Sequence, residues 1–112
     1  NHPSTLTTRQ ALANTLHDRG QVEQAEAECR AVLAARITVH GEEHVHTLTT
    51  RYALAGMLRH RGELDQAELD YRAVLAAETR LLGENHPSTL TTRRSLADLL
   101  RDRGRLEQAE AE

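Results

Sequence analysis

The chain has 112 residues and a formal net charge of −3, which argues against general attraction to nucleic acid. Aromatic residues make up only 2%, so a core has to come from Leu, Val and Ala, as in closely packed helices. One cysteine excludes an internal disulfide and fits a reducing compartment, and no apolar run reaches the roughly 18–20 residues needed to cross a bilayer. We therefore expect a cytoplasmic protein without a membrane partner.

A nine-residue segment is repeated along the chain. Asn-His-Pro-Ser-Thr-Leu-Thr-Thr-Arg occupies residues 1–9 and again 85–93, with a degenerate copy halfway between them. Residues 1–42 match 43–84 at 23 positions, and the last 28 residues match the first 28 at 21. A fixed period of 42 residues indicates a repeat architecture. We divide the chain into repeat 1 (1–42), repeat 2 (43–84) and a partial repeat 3 (85–112), and we expect a single array cut from a longer protein.

Each repeat is predicted to fold as a pair of helices. The first helix of repeat 1, about 4–19, carries its apolar residues within about 120° of arc, at Leu6, Leu12, Ala13 and Leu16. Gly20 ends it, since glycine readily adopts the left-handed conformation that follows a helix. The second helix, about 22–39, has its apolar face at Val22, Ala25, Cys29, Val32 and Leu33, and Gly41 closes the unit.

The other two repeats follow the same plan. Repeat 2 predicts helices over about 46–61 and 64–81, and repeat 3 predicts one over about 88–103 and the start of another at Leu106. The expected fold is all-α, with antiparallel helix-turn-helix units stacked into a solenoid.

The spacing of apolar residues has a recognisable form. It reads Leu12-Ala13-x2-Leu16 with Ala25-x3-Cys29, then Leu54-Ala55-x2-Leu58 with Ala67-x3-Tyr71, then Leu96-Ala97-x2-Leu100 with Ala109. This pattern resembles the tetratricopeptide repeat family, and the 42-residue period resembles its kinesin light chain type, as found in bacterial multidomain regulators. The resemblance implies a right-handed superhelical solenoid that binds proteins, without naming the partner.

Arginine stands where the family pattern has tryptophan. A guanidinium close to an apolar face is costly unless it is paired. A glutamate recurs at the border of the second helix in every repeat. The predicted pairs across each helix hairpin are Arg9–Glu26, Arg51–Glu68 and Arg93–Glu110.

Positions that differ between repeats are candidates for function, because the shared positions already account for the fold. In the first helices they recur at i, i+4 and i+7, which places them on one side of the helix. By the resemblance, that side lines the concave groove in which extended peptides or partner helices dock. The candidate groove residues are Thr7, Gln10, Asn14, His17, Thr49, Tyr52, Gly56, Arg59, Thr91, Arg94, Asp98 and Arg101, beside Ala11, Ala53 and Ser95.

The chemistry of these positions favours an acidic partner. Tyr52 would serve as an anchor, and three neighbouring arginines would suit an acidic peptide or a terminal carboxylate. The alternative is that these positions are merely exposed and free to vary. Tyr71 is different, because it takes the place of Cys29 and is predicted to lie in the core.

Catalytic and metal chemistry is not indicated. His40, His44 and His46 cluster near a turn, but His44 has counterparts at His2 and His86, which favours a turn or capping role. There is no phosphate-binding loop and no nucleophile motif, and Cys29 lies on an apolar face. We expect no enzyme activity, no cofactor and no metal.

Two functions remain. The first is a protein–protein interaction scaffold that binds a peptide or helical segment of a partner, or of its parent chain, in the groove. The alternative is a structural element that forms homo-oligomers through uncapped ends of the solenoid.

Overall fold

A computed structural model describes residues 3–111 of the chain, without the side chains of Pro3, Ser4, Ala109 and Ala111; His2 lies outside the described residues. The five helices are α1 (Pro3–Asp18), α2 (Val22–His40), α3 (Val45–His60), α4 (Leu64–Leu82) and α5 (Pro87–Ala111). The described part of the chain contains no strand, and the predicted all-α fold is confirmed.

Each helix packs against the next one along the chain, and α1 also touches α3. Because the connections between helices are short, neighbouring helices run antiparallel. The result is a flat stack that measures 51 × 34 × 19 Å. This is the predicted order of helix pairs, with α1 and α2 forming the first hairpin and α3 and α4 the second.

Glycine ends the first helix of both complete repeats. Gly20 and Gly62 have φ angles of +82° and +91°, a conformation that costs glycine little. At the first turn the N–H of Gln21 donates to the carbonyl of Leu16 at 2.9 Å, which satisfies a carbonyl at the helix end. The predicted stop signals are confirmed at these two positions.

Histidine caps the start of α3 and α5. The ring Nδ1 of His44 accepts the backbone N–H of His46 at 3.1 Å, and Nδ1 of His86 accepts that of Ser88 at 3.1 Å. Both bonds satisfy a backbone donor that the helix itself leaves free. The predicted capping role is confirmed for these two histidines.

The main core cluster runs through both hairpins to α5, and a second, smaller cluster consists of Leu48, Val74 and Ala77. Ala13, Ala25, Ala55 and Ala67 are all fully buried, so the small side chains lie where helices come closest. At one equivalent position of the two repeats Cys29 and Tyr71 are both buried, as predicted for the core.

Leu12 departs from its predicted place on the buried face. Its side chain is 49% exposed, whereas its counterparts Leu54 and Leu96 are 3% and 7% exposed. The counterparts are covered because α3 and α5 each pack on the second helix of the preceding repeat. Within the described residues no helix precedes α1.

The predicted turn at Gly104 is wrong. Helix α5 runs without a break through Gly104, and the segment from Leu106 continues it instead of folding back. The hairpins at Gly20 and Gly62 are held by packing between their two helices. The residues after Gly104 have no such packing here, and a continuous helix keeps its own backbone hydrogen bonds.

The continuity of α5 also removes one predicted ion pair. Arg93 and Glu110 lie on the same helix, separated by roughly 25 Å along its axis. Both side chains are exposed. The third pair of the prediction is therefore wrong.

Within the hairpins, arginine pairs with a different acid from the one predicted. Arg9 Nε lies 2.6 Å from Glu28 Oε1, and Arg51 lies 4.0 Å from Asp70 and 3.3 Å from Glu42, which precedes α3. Glu28 and Asp70 occupy equivalent positions of the two repeats. The prediction was right about the arginines bridging each hairpin, and wrong about the acids, which lie two residues further along.

The predicted acids connect successive repeats instead. Glu26 pairs with Arg61 at 2.7 Å, and the equivalent Glu68 pairs with Arg103 at 3.5 Å. Arg61 and Arg103 lie one repeat and two repeats beyond Arg19. Glu26 raises the pKa of Arg61 through a hydrogen bond and its charge. These pairs join the second helix of one repeat to the first helix of the next, at the C-cap of α3 and within α5.

The two glycines at equivalent positions should respond to alanine in opposite directions. Gly62→Ala is expected to destabilise the fold by about 1–2 kcal/mol because of its positive φ. Gly104→Ala should stabilise it by up to about 1 kcal/mol, because Gly104 is helical and an added Cβ meets nothing within 4 Å. Urea denaturation of both variants measures this, and a destabilising Gly104→Ala would show that the chain turns there.

A double-mutant cycle tests the pairing between repeats. Glu26→Gln and Arg61→Gln should show a favourable coupling energy, weakened at about 1 M salt because Arg61 is partly exposed. The matched cycle of Arg9 with Glu26 should give a coupling near zero, since Arg9 pairs with Glu28. A larger coupling energy for Arg9 with Glu26 than for Glu26 with Arg61 would instead support the pairing predicted from the sequence.

Candidate partner-binding groove

The structure brings three candidate groove residues around one cavity. Thr49, Tyr52 and Thr91, from α3 and α5, share the lining of an open cavity of about 280 Å³. We name this the α3–α5 cavity; its full lining is Thr49, Tyr52, Glu78, Pro87, Ser88, Thr91 and Thr92. Five of these seven residues carry a hydroxyl group, and only Glu78 carries a formal negative charge.

Tyr52 is held in place by contacts on two sides. Its hydroxyl lies 2.6 Å from the Ser95 hydroxyl of α5, and its ring meets the Tyr71 ring edge-on with centroids 5.5 Å apart. Tyr52 is half-buried and packs against two groups of buried apolar side chains. The ring therefore forms a rigid wall of the cavity, and its hydroxyl already has a partner.

The arginines predicted to attract an acidic partner differ in availability. Arg59 is bound to Asp102 at 2.8 Å, and Arg101 lies 3.4 Å from Asp98. Arg94 is exposed and has no ion-pair partner among the described residues. Much of the positive charge expected along this side is therefore neutralised within the chain.

The other candidate positions form two further groups. Gly56 and Arg59 line a separate cavity with His60 and Tyr71. In repeat 1, Gln10 is buried and donates to Asn14 at 3.1 Å.

The last three candidate groove residues are His17, Thr7 and Asp98. The His17 ring meets the His60 ring at 5.0 Å, which joins α1 to α3. Its Nε2 is buried without a hydrogen-bond partner among the described residues. Thr7 is exposed and accepts a hydrogen bond from Arg36 at 3.4 Å, and Asp98 is half-buried.

Two buried charged residues near this side were missed by the sequence analysis. Glu78, on α4, is 7% exposed, and Arg36, at the equivalent position of α2, is 4% exposed. Oε1 of Glu78 and both Nε and Nη1 of Arg36 lack hydrogen-bond partners among the described residues. The signal in the sequence is the change from a basic to an acidic residue at this position between repeats 1 and 2.

Burial raises the pKa of Glu78, and the nearby Thr92 hydroxyl and the charge of His86 offset part of that rise. The carboxyl group is thus short of compensating positive charge. Asp70, buried to the same degree, has Arg51 and Gln66 beside it. Glu78 therefore remains the buried acid without an arginine among the described residues.

The histidine cluster has stacked geometry. The rings of His40 and His44 are nearly parallel with centroids 4.2 Å apart, and His46 lies 5.1 Å from His44. Desolvation, followed by the charges of His44 and His46, lowers the pKa of His40. Among residues 3–111 no group of three or more His, Cys, Asp or Glu side chains is arranged to hold a metal ion.

Cys29 has the environment of a core residue. It is fully buried, and burial raises the pKa of its thiol to about 11. Gln10 and the carbonyl of Thr50 are its nearest polar contacts, at 3.9 and 3.7 Å. A neutral, buried thiol is a poor nucleophile.

The helices of the described residues are too short or too polar to span a membrane. This holds for α5 as well, although it is the longest at 25 residues.

Comparison with known proteins agrees with this architecture. A family model described as tetratricopeptide repeat matches residues 3–77 and 52–111. The crystal structure of nearly identical TPR-like repeats of a putative kinesin light chain from Podosopora anserina matches this chain with a TM-score of 0.83 and 28% sequence identity. The match covers 97% of this chain and 52% of that one. A form of the same protein with a single substitution gives the same TM-score and identity, covering 97% and 51%. A search of curated proteins found no match.

The chain belongs to the tetratricopeptide repeat family. Its repeats are similar to those of kinesin light chain type, as predicted from the 42-residue period. The chain spans about half the length of the solved structures it matches. Repeats of this family generally mediate protein–protein interaction.

Glu78→Gln is expected to stabilise the fold at neutral pH. Folding raises the pKa of Glu78 above its ordinary value of 4.5, so the parent chain loses stability as pH rises through that value towards the folded pKa. The variant carries no such titration. The difference in unfolding free energy should be small below pH 4.5 and grow above it, measured by urea denaturation at several pH values.

Thr92→Val provides the control for this experiment. It removes the hydroxyl group that lowers the pKa of Glu78, and so should enlarge the loss of stability at neutral pH. A Glu78→Gln variant that is less stable than the parent at neutral pH would mean that the charged carboxylate is compensated.

Proposed function

We propose that this chain is a protein-interaction module that holds an extended or helical segment of a partner, or of its parent chain, along the candidate groove residues. The observation that carries this proposal is the α3–α5 cavity, which joins three of those residues across two repeats. An interaction role also agrees with the general role of the family.

The composition of this surface supports peptide binding over catalysis. The rigid ring of Tyr52 offers apolar contact area, and exposed hydroxyls such as that of Thr91 offer hydrogen bonds to a peptide. Exposed Arg94 is the candidate contact for an acidic residue. We assign no enzyme activity, and we place the module in a reducing compartment such as the cytoplasm, where its one cysteine stays a free thiol.

Self-assembly is the second candidate, and exposed leucines favour it. Leu12 on α1 and Leu90 and Leu100 on α5 are 49%, 47% and 40% exposed, so both ends of the stack present apolar side chains. In a longer array such faces would be covered by further repeats. A second copy of the chain would cover them in the same way.

Selection from a displayed library of random peptides tests the groove. Recovered peptides are measured by fluorescence anisotropy against the parent chain and a Thr49→Arg, Thr91→Arg variant. These two threonines are exposed and line the cavity, so the variant should bind at least about tenfold more weakly because two arginine side chains would obstruct it.

The matched control is an Ala27→Arg, Leu69→Arg variant. It adds the same charge at exposed, equivalent positions of α2 and α4 and should bind normally. Equal loss in both variants, or no loss in either, would rule out the groove. If no peptide binds and light scattering shows a mass that rises with concentration and falls in Leu12→Glu, self-assembly is the function.

A further inference from the structure

The α3–α5 cavity is lined by a buried acid, Glu78, that is paired with no arginine among the described residues. Glu26, Asp70 and Glu78 are all 7% exposed. Arg61 pairs with the first at 2.7 Å and Arg51 lies 4.0 Å from the second. Within the described residues Glu78 has no arginine, and its Oε1 has no hydrogen-bond donor.

A buried carboxylate without a paired cation is costly, and a cation brought by a ligand would relieve that cost. Glu78 lines a cavity that opens to solvent, so a ligand can reach it. Within that cavity the remaining polar side chains carry hydroxyls, which can accept hydrogen bonds as well as donate them. The site is therefore complementary to a cation with several N–H donors.

We propose that the α3–α5 cavity binds a lysine side chain of the segment held in the groove. The ammonium group would donate to the Glu78 carboxylate and to the hydroxyls of Thr49 and Thr91. The methylene chain would lie along the Tyr52 ring. This inference rests on the proposed groove and specifies the chemistry of its partner.

The geometry favours lysine over arginine. A guanidinium binds a carboxylate best through two parallel bonds, which needs both oxygens. Oε1 of Glu78 is buried, so the cavity offers a ligand at most one carboxylate oxygen. An ammonium group is a compact charge with three donors and suits one carboxylate oxygen surrounded by hydroxyls. At about 280 Å³ the cavity is below the usual size of a small-molecule site and fits a single side chain.

The occupant has to come from outside these 112 residues. All fourteen basic residues of the sequence are arginine, so a second copy of the described chain supplies no lysine. The equivalent place in repeat 1 has Arg36 in the position of Glu78, and a cation would be repelled there. Lysine recognition is thus confined to the α3–α5 cavity.

A nuclear magnetic resonance titration tests the proposal directly. The probe is Nα-acetyl-lysine methylamide at up to tens of millimolar, about the range in which a single side chain binds. Saturable shifts are expected for the backbone amides of Thr49, Thr91 and Thr92. The norleucine analogue, which has the same chain without the ammonium, should give none, and the arginine analogue should bind at least about threefold more weakly.

Two variants and one control complete the experiment. Glu78→Gln and Thr91→Arg should each weaken lysine binding at least about tenfold, the first by removing the anion and the second by filling the cavity. Arg36→Gln, the matched change in repeat 1, should leave it unaltered. Far-ultraviolet circular dichroism confirms that each variant is folded. No saturable shift with the lysine probe, or equal binding by Glu78→Gln, overturns the proposal.

The groove and its lysine site fail in distinguishable ways. Peptides that bind the parent chain, lose affinity in the Thr49→Arg, Thr91→Arg variant and bind Glu78→Gln normally would support the groove and overturn the lysine site. Both proposals are supported by peptides that bind the Thr49→Arg, Thr91→Arg variant and the Glu78→Gln variant more weakly than the parent chain. Such peptides must also contain a lysine whose replacement by norleucine weakens binding to the parent chain.

Discussion

Close contact between helices through fully buried alanines is the constraint on which the structure depends. Ala13 and Ala25 in the first hairpin, and Ala55 and Ala67 in the second, leave no surface exposed. Small side chains at these contacts let helix backbones approach closely, so larger neighbours such as Leu58 can fill the space between layers. Without aromatic bulk beyond two tyrosines, burial has to be spread thinly along the whole stack.

The ion pairs add orientation to this packing. One set crosses each hairpin, as Arg9 does to Glu28, and the other joins successive repeats, as Glu26 does to Arg61. Exposed pairs contribute little free energy, but Glu26 is buried and needs its cation. The second set therefore fixes α2 of the first repeat against the C-terminal end of α3 in the next.

The candidate binding site arises from differences between repeats that share one backbone plan. Position 36 in the first unit is a buried arginine and position 78 in the second is a buried glutamate. An exchange of charge at one place in the solenoid gives each unit its own preference for a partner without altering the helices. The cavity at Glu78 is lined by residues of α3, α4 and α5, so three helices from two units form one site.

The sequence by itself determined the period, the helix pairs, the glycine turns at Gly20 and Gly62, and the core identity of Tyr71, because these follow from local propensity and apolar spacing. It also indicated which first-helix positions vary. Tertiary structure alone decided the acids that meet each arginine, the exposure of Leu12 and the helical continuation through Gly104. Each of these depends on which helix packs alongside. The lack of an arginine beside Glu78 depends on it too, because packing between helices sets the partners of a buried charge, and the spacing of residues along a single helix does not.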